Sequence, residues 1–242
     1  MAATYFVSSC NGSEANDGLA ASSAVDSWRR LSPRPGDTIL FERGSSFRET
    51  IVSPDGEPGR PVTWGAYGSG SAPAFYGSVD LSDPAIWESE GRNVWRCTRA
   101  LEGEVANLVF DDGREYGVLA WKREDMFKPG HWHFTHVGFL KDERVKRAVA
   151  GTTPALYLYS HGNPGERWRS IECSLRGGSS FIATGRRHIV VENIAFLYAP
   201  VTAFTVADGE DITIRGCLFK GTGGLVHTHG AKIGRASCRE RV

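Results

Sequence analysis

From residue 179 onwards, apolar and polar positions alternate in short runs broken by Gly, Asn or Asp. "HIVVENIAF" (188–196) and "DITIRGCLF" (211–219) superpose at an offset of 23 residues, setting Ile189 on Ile212, Val191 on Ile214, Ile194 on Cys217 and Phe196 on Phe219. Asn193 then falls opposite Gly216, and these two residue types most readily accept φ > 0 and so permit a sharp corner. The preceding segments repeat as well: "FIATGRRH" (181–188), "FTVADGED" (204–211) and "VHTHGAK" (226–232) follow at offsets of 23 and then 22. Period-2 alternation with β-branched content predicts strands and excludes helix. A period near 22 residues, with two or three strands and a turn at each corner, predicts a solenoid whose rungs are all strand and stack on one another.

The first 80 residues carry turn and strand signals of another kind. Asn16-Asp17-Gly18 is turn chemistry, "PGDTILF" (35–41) is a turn feeding a buried strand, and "AVDSWRRL" (24–31) predicts a short amphipathic helix able to plug the open end of a solenoid core. Such a cap keeps the first rung from being an exposed sheet edge. Between 81 and 178 the rung pattern lapses, and "NVWRC", "ANLVFDDGREY", "GHWHFTH" and "ALYLYSHG" alternate as short strands joined by Gly, Asp and Pro turns. The expected organisation is a cap with first rungs (1–80), a strand-rich insertion or side lobe (81–178), further rungs (179–232) and a tail (233–242).

The repeat and the opening segment together resemble the right-handed parallel β-helix of the pectate-lyase-like superfamily. The run from Thr4 to Ser78, with its N-D-G turn, Trp-containing short helix, P-G-D-T, R-G-x-x-F-R and GAYGSG turn, is similar to the start of many bacterial β-helix proteins. The fold class expected is therefore all-β, a right-handed parallel β-helix with an N-terminal cap. The resemblance implies a carbohydrate-active protein, a polysaccharide lyase or glycoside hydrolase acting on a (uronic-acid-containing) polysaccharide or oligosaccharide. A non-catalytic β-helix used for surface attachment or glycan binding is the alternative. No cofactor is evident, and a divalent cation such as calcium is implied by the resemblance alone.

The tail alters the charge balance. Ile233 to Val242 can be written ATC GGA AGA GCG TCG TGT AGG GAA AGA GTG, which matches a common short-read sequencing adapter in reverse complement, so these residues are expected to be translated adapter and are set aside. The chain carries 28 basic and 28 acidic residues; without 232–242 the balance is 24 to 27, and a basic tail no longer argues for a nucleic-acid partner. Cys10, Cys97, Cys173 and Cys217 are widely spaced with no CxxC, which signals neither a zinc site nor a dense disulfide framework. No run approaches the ~18 apolar residues of a membrane span. "MAATYFVSS" lacks the basic and apolar regions of a signal peptide, so the chain reads as cytoplasmic at face value, or as extracellular or periplasmic if the start is misassigned. Oligomeric state has no signal.

Candidate chemistry lies where the strands would face outward. With Phe181, Phe204 and Val226 inward, Ile182, Thr205 and His227 form one outer row and Thr184, Ala207 and His229 the next. His227 and His229 are the candidate catalytic pair: imidazoles side by side can bind a metal, or one can act as general base near neutral pH. The competing reading is a pair of solvated histidines, turned inward if the register slips by one residue. Arg186 and Arg187, on a neighbouring corner, are candidate substrate-binding residues because a lyase needs cations to neutralise a uronate. "HWHFTH" (131–136) has poor metal spacing, and Trp132 and Phe134 read as the packed residues of a half-buried strand. Asp111, Asp112, Asp208, Glu210 and Asp211 fall in turns, where Asp caps backbone groups.

Overall fold

The computed structural model describes residues 2–136, 142–177, 179–200, 202–222, 226–229 and 232–240. The chain divides into two compact units, residues 1–77 with 179–242, and residues 78–178.

The first unit is built from short strands: β1 (Thr4–Val7), β2 (Thr38–Glu42), β3 (Ser46–Phe47), β4 (Ile51–Val52), β5 (Val62–Tyr67), β6 (Ala74–Tyr76), β7 (Phe181–Ile182), β8 (Arg187–Glu192), β9 (Ala195–Leu197), β10 (Phe204–Ala207), β11 (Glu210–Lys220), β12 (Val226–His229) and β13 (Lys232–Glu240). Every pairing among them is parallel. One sheet runs β1-β2-β5-β8-β11-β9-β6-β3, with β13 on β11, and a second runs β12-β10-β7-β4. The first sheet curls because β11 pairs with β8 before Gly216 and with β9 after it.

Register explains the core. Ile189 pairs with Ile212, Val191 with Ile214 and Phe196 with Phe219, the 23-residue offset read from the alternation. Since parallel strands in this register stack like on like, inward rings form ladders. Phe47, Phe75, Phe196 and Phe219 follow one another across β3, β6, β9 and β11, with centroids 4.9, 6.1 and 5.4 Å apart. Phe181 stacks on Phe204 at 4.3 Å. All but Phe47 are 1% exposed or less, so each contributes about 1.5–3 kcal/mol by burial.

The segment expected to be a short helix is shorter still. It makes a single 3-10 turn, Trp28–Arg30, capped by the Ser27 side chain. Pro33 and Pro35 follow closely, and the residue before a proline is steered away from helical backbone. Its apolar side chains still cover the core: Ala24 and Val25 are buried, and Trp28 meets Trp64 edge-on at 5.5 Å.

The second unit is mostly antiparallel. Strand Val105–Phe110 lies between Ile171–Leu175 and Glu115–Tyr116. Another sheet orders Val118–Leu119, His131–Phe134, Leu156–Tyr159, Val94–Cys97 and Trp87–Ser89. Two short helices, Glu143–Val149 and Pro164–Arg167, complete it. Its core centres on Trp132, Phe134, Leu156, Leu158 and the stacked pair Phe110 and Trp168. The protein is thus nearly all β, with a curled parallel sheet in one unit. Among the described residues no helix is long and apolar enough to cross a membrane.

Candidate functional site

The second sheet of the first unit sets the outer rows. Ile51, Phe181 and Phe204 are buried, and Val226 takes the next position in the same register. The adjacent row is Val52, Ile182, Thr205 and His227, and His229 takes the position paired with Ala207. The side chains of His227 and His229 lie outside the described residues, and their strand is placed by its pairing with β10.

Beside that row three hydroxyls close on one another. Ser179 Oγ lies 2.8 Å from Thr205 Oγ1 and 3.1 Å from Thr202 Oγ1, and the two threonine oxygens are 2.9 Å apart. Thr50 Oγ1 donates to the Ser179 carbonyl at 2.8 Å, tying the cluster to the residue before β4. Each hydroxyl has one proton and two lone pairs, so the triangle retains acceptor capacity. The sequence named Thr205 for its outer position, but Ser179 and Thr202 flank their strands outside the alternation and carry no periodic signal.

The corner after β10 is shaped by sterics. Asp208 is left-handed at φ 53°, and a Cβ on Gly209 would come within 2.8 Å of Val206 and Ile212, so only glycine fits there. Asp208 has no bonded partner among the described residues, leaving an exposed carboxylate directly after the position paired with His229. Arg186 and Arg187 stand on the neighbouring corner, but neither is a free cation. Arg186 Nη1 lies 3.2 Å from Asp55 Oδ2, whose Oδ1 accepts the Arg187 backbone N–H at 2.9 Å. Arg187 Nε lies 3.8 Å from Glu210 Oε2. One residue further on, His188 Nδ1 meets Asp211 Oδ2 at 2.8 Å, both residues being left-handed at φ 54° and 52°. That imidazole–carboxylate pair was invisible to motif reading, although its 23-residue spacing is the repeat itself.

The histidines of "HWHFTH" belong to the second unit and turn to different partners. His131 is buried against the exposed Phe127 ring, centroids 4.5 Å apart. His133 Nδ1 meets the Ala120 carbonyl at 3.0 Å, and His136 lies between Thr135 and Thr152. Trp132 and Phe134 are buried, as the alternation requires. Asp111 accepts the Arg169 backbone N–H at 2.8 Å and Asp112 pairs with the Arg169 side chain, so both carboxylates serve their turn. Among the described residues no three His, Cys, Asp or Glu side chains converge as they would around a metal ion.

No family model matches the chain, and no curated protein sequence matches it. Among solved structures it is similar to XylC in complex with xylose, at a TM-score of 0.63 and 15% identity over 89% of this chain and 40% of that one. It is also similar to a protein described as a glycoside hydrolase, at a TM-score of 0.52 and 13% identity over 90% of this chain and 62% of that one. The chain spans less than two thirds of either, and at these identities the likeness is one of fold.

Proposed function

We propose that this chain is a carbohydrate-active protein, its curled sheet the rungs of a right-handed parallel β-helix, acting by hydrolysis on a neutral glycan. In this reading residues 1–80 and 179–232 supply cap and rungs, and 81–178 a side lobe. The observation that carries it is the likeness of fold to XylC, a structure holding xylose, together with an outer row that runs through a hydroxyl cluster toward the positions of His227 and His229. Hydroxyls suit sugar hydroxyls, an imidazole at either position is a general acid or base near neutral pH, and Asp208 offers a carboxylate at the adjoining corner. Arg186 and Arg187 contribute remaining N–H donors rather than net charge.

Hydrolysis is favoured over elimination for an electrostatic reason. A lyase must neutralise a uronate carboxylate, and the corner arginines already face Asp55 and Glu210. The test is side-by-side digestion of neutral xylo-oligosaccharides and polygalacturonate. New reducing ends from the former, with no unsaturated product from the latter, is the expected result. Unsaturated product would replace hydrolysis by elimination, and silence on both would leave a binding protein.

A further inference from the structure

The second unit holds a groove of about 390 Å³ that the outer row does not involve. Glu90, Gly91, Arg92 and Val94 form one side, on the hairpin joining Trp87–Ser89 to Val94–Cys97; Arg123, Glu124 and Met126 form the other, on a 3-10 turn. The hairpin is held by consecutive left-handed residues, Gly91, Arg92 and Asn93 at φ 82°, 51° and 64°, a strained run of the kind that clusters at binding sites.

Two of the four charges in the groove are spent on its own geometry. Arg123 Nη2 donates to Glu90 Oε2 at 2.8 Å, and its guanidinium carbon sits 4.3 Å above the Tyr157 ring. Arg92 and Glu124 have no bonded partner among the described residues, so a guanidinium and a carboxylate remain available on opposite sides of an apolar floor made by Val94 and Met126. The turn that carries Arg123 and Glu124 is bracketed by Trp121 and Phe127, 72% and 74% exposed. Large aromatics left this open, next in sequence to the turn that lines the groove, offer ring faces to solvent, although the Phe127 ring also meets His131 at 4.5 Å.

We infer that this groove binds a neutral oligosaccharide, with Trp121 and Phe127 stacking on sugar rings and Arg92 and Glu124 hydrogen-bonding their hydroxyls. Two positive and two negative side chains cancel, so the groove offers no net attraction to a uronan or another polyanion. A free guanidinium and a free carboxylate supply donors and acceptors in the bidentate geometry that vicinal hydroxyls match. The inference takes the glycan as partner from the proposed function, but it concerns a second site, and binding is read apart from cleavage.

The test is titration of the whole chain with xylotetraose and tetragalacturonate, followed by tryptophan fluorescence and by calorimetry, on the parent, Trp121→Ala and Glu124→Gln. The exposure of Trp121 makes an unchanged melting temperature the control for folding. Expected is xylotetraose binding weakened about tenfold in Trp121→Ala and measurably in Glu124→Gln, the former being the loss typical of an aromatic anchor. Parent affinity in both variants, tighter binding of tetragalacturonate than of xylotetraose, or no binding of xylotetraose by the parent would overturn the groove. Binding with no cleavage of any glycan would leave the groove standing and remove hydrolysis.

Discussion

Asn193 and Gly216 stand at the same corner of successive strands, both left-handed at φ 59° and 61°, and Asn193 Oδ1 lies 2.7 Å from where a Cβ on residue 216 would sit. The left-handed backbone alone costs a residue with a side chain about 1–2 kcal/mol, and the contact with Asn193 adds to it. Gly216→Ala is expected to lower the urea midpoint without changing the slope of the transition. An unchanged midpoint would contradict the close approach.

In the ladder Phe47, Phe75, Phe196 and Phe219, Phe196 is an interior ring with an aromatic neighbour on each side. Truncating such a ring to alanine costs about 3–5 kcal/mol, comparable to the whole stability of many domains. Phe196→Leu is therefore the practical variant. It should lower the midpoint far more than Val52→Ala, whose side chain is exposed on the outer row; equal losses would argue against the stack.

Glu49 provides the pH prediction. Burial pushes its carboxyl above the ordinary range, against the Ser27 hydroxyl at 2.7 Å and Arg29 at 3.3 Å, which pull it down. The folded state thus holds this proton more tightly than the unfolded chain. The stability it contributes is complete below the ordinary carboxylate pKa and is lost as pH rises through the higher folded-state value. Glu49→Gln keeps an acceptor for Ser27 and gives up an ion pair with an arginine that is largely in water, a pair of little worth. Thermal melts should show the variant more stable than the parent at neutral pH and the advantage fading in acid. A less stable variant at neutral pH would contradict the burial cost.

Cysteine reactivity should separate by environment. Burial pushes the Cys173 and Cys97 thiols up, Cys217 is buried, and Cys10 is exposed. Thiolate is the reactive form, so native alkylation followed by mass spectrometry should label Cys10 and spare Cys97, Cys173 and Cys217 until denaturant is added. Fast labelling of Cys173 in the native state would contradict its place in the core.

What the sequence made legible was whatever parallel stacking repeats. Inward Phe181 and Phe204, the pairing of Ile189 with Ile212, and the corner at Asn193 and Gly216 could all be read, because one register places like residues on like. Contacts that arise once, between distant segments, carry no period. Asp55 reaches the Arg186 guanidinium and the Arg187 backbone N–H from across more than a hundred residues, an arrangement no alternation could announce. Glu90 and Arg123, and the unpaired Arg92 and Glu124 beside them, come together only when the second unit folds.

The claim that the outer row beyond Thr205 carries hydrolytic chemistry is tested most directly by steady-state release of reducing ends from a small neutral glycoside by the parent, His227→Ala, His229→Ala and, as a control at an exposed residue, Leu19→Ala. Loss of a general acid or base should lower kcat on the order of 100-fold in one or both histidine variants, with Leu19→Ala at the parent rate. Parent rates in both histidine variants would contradict it.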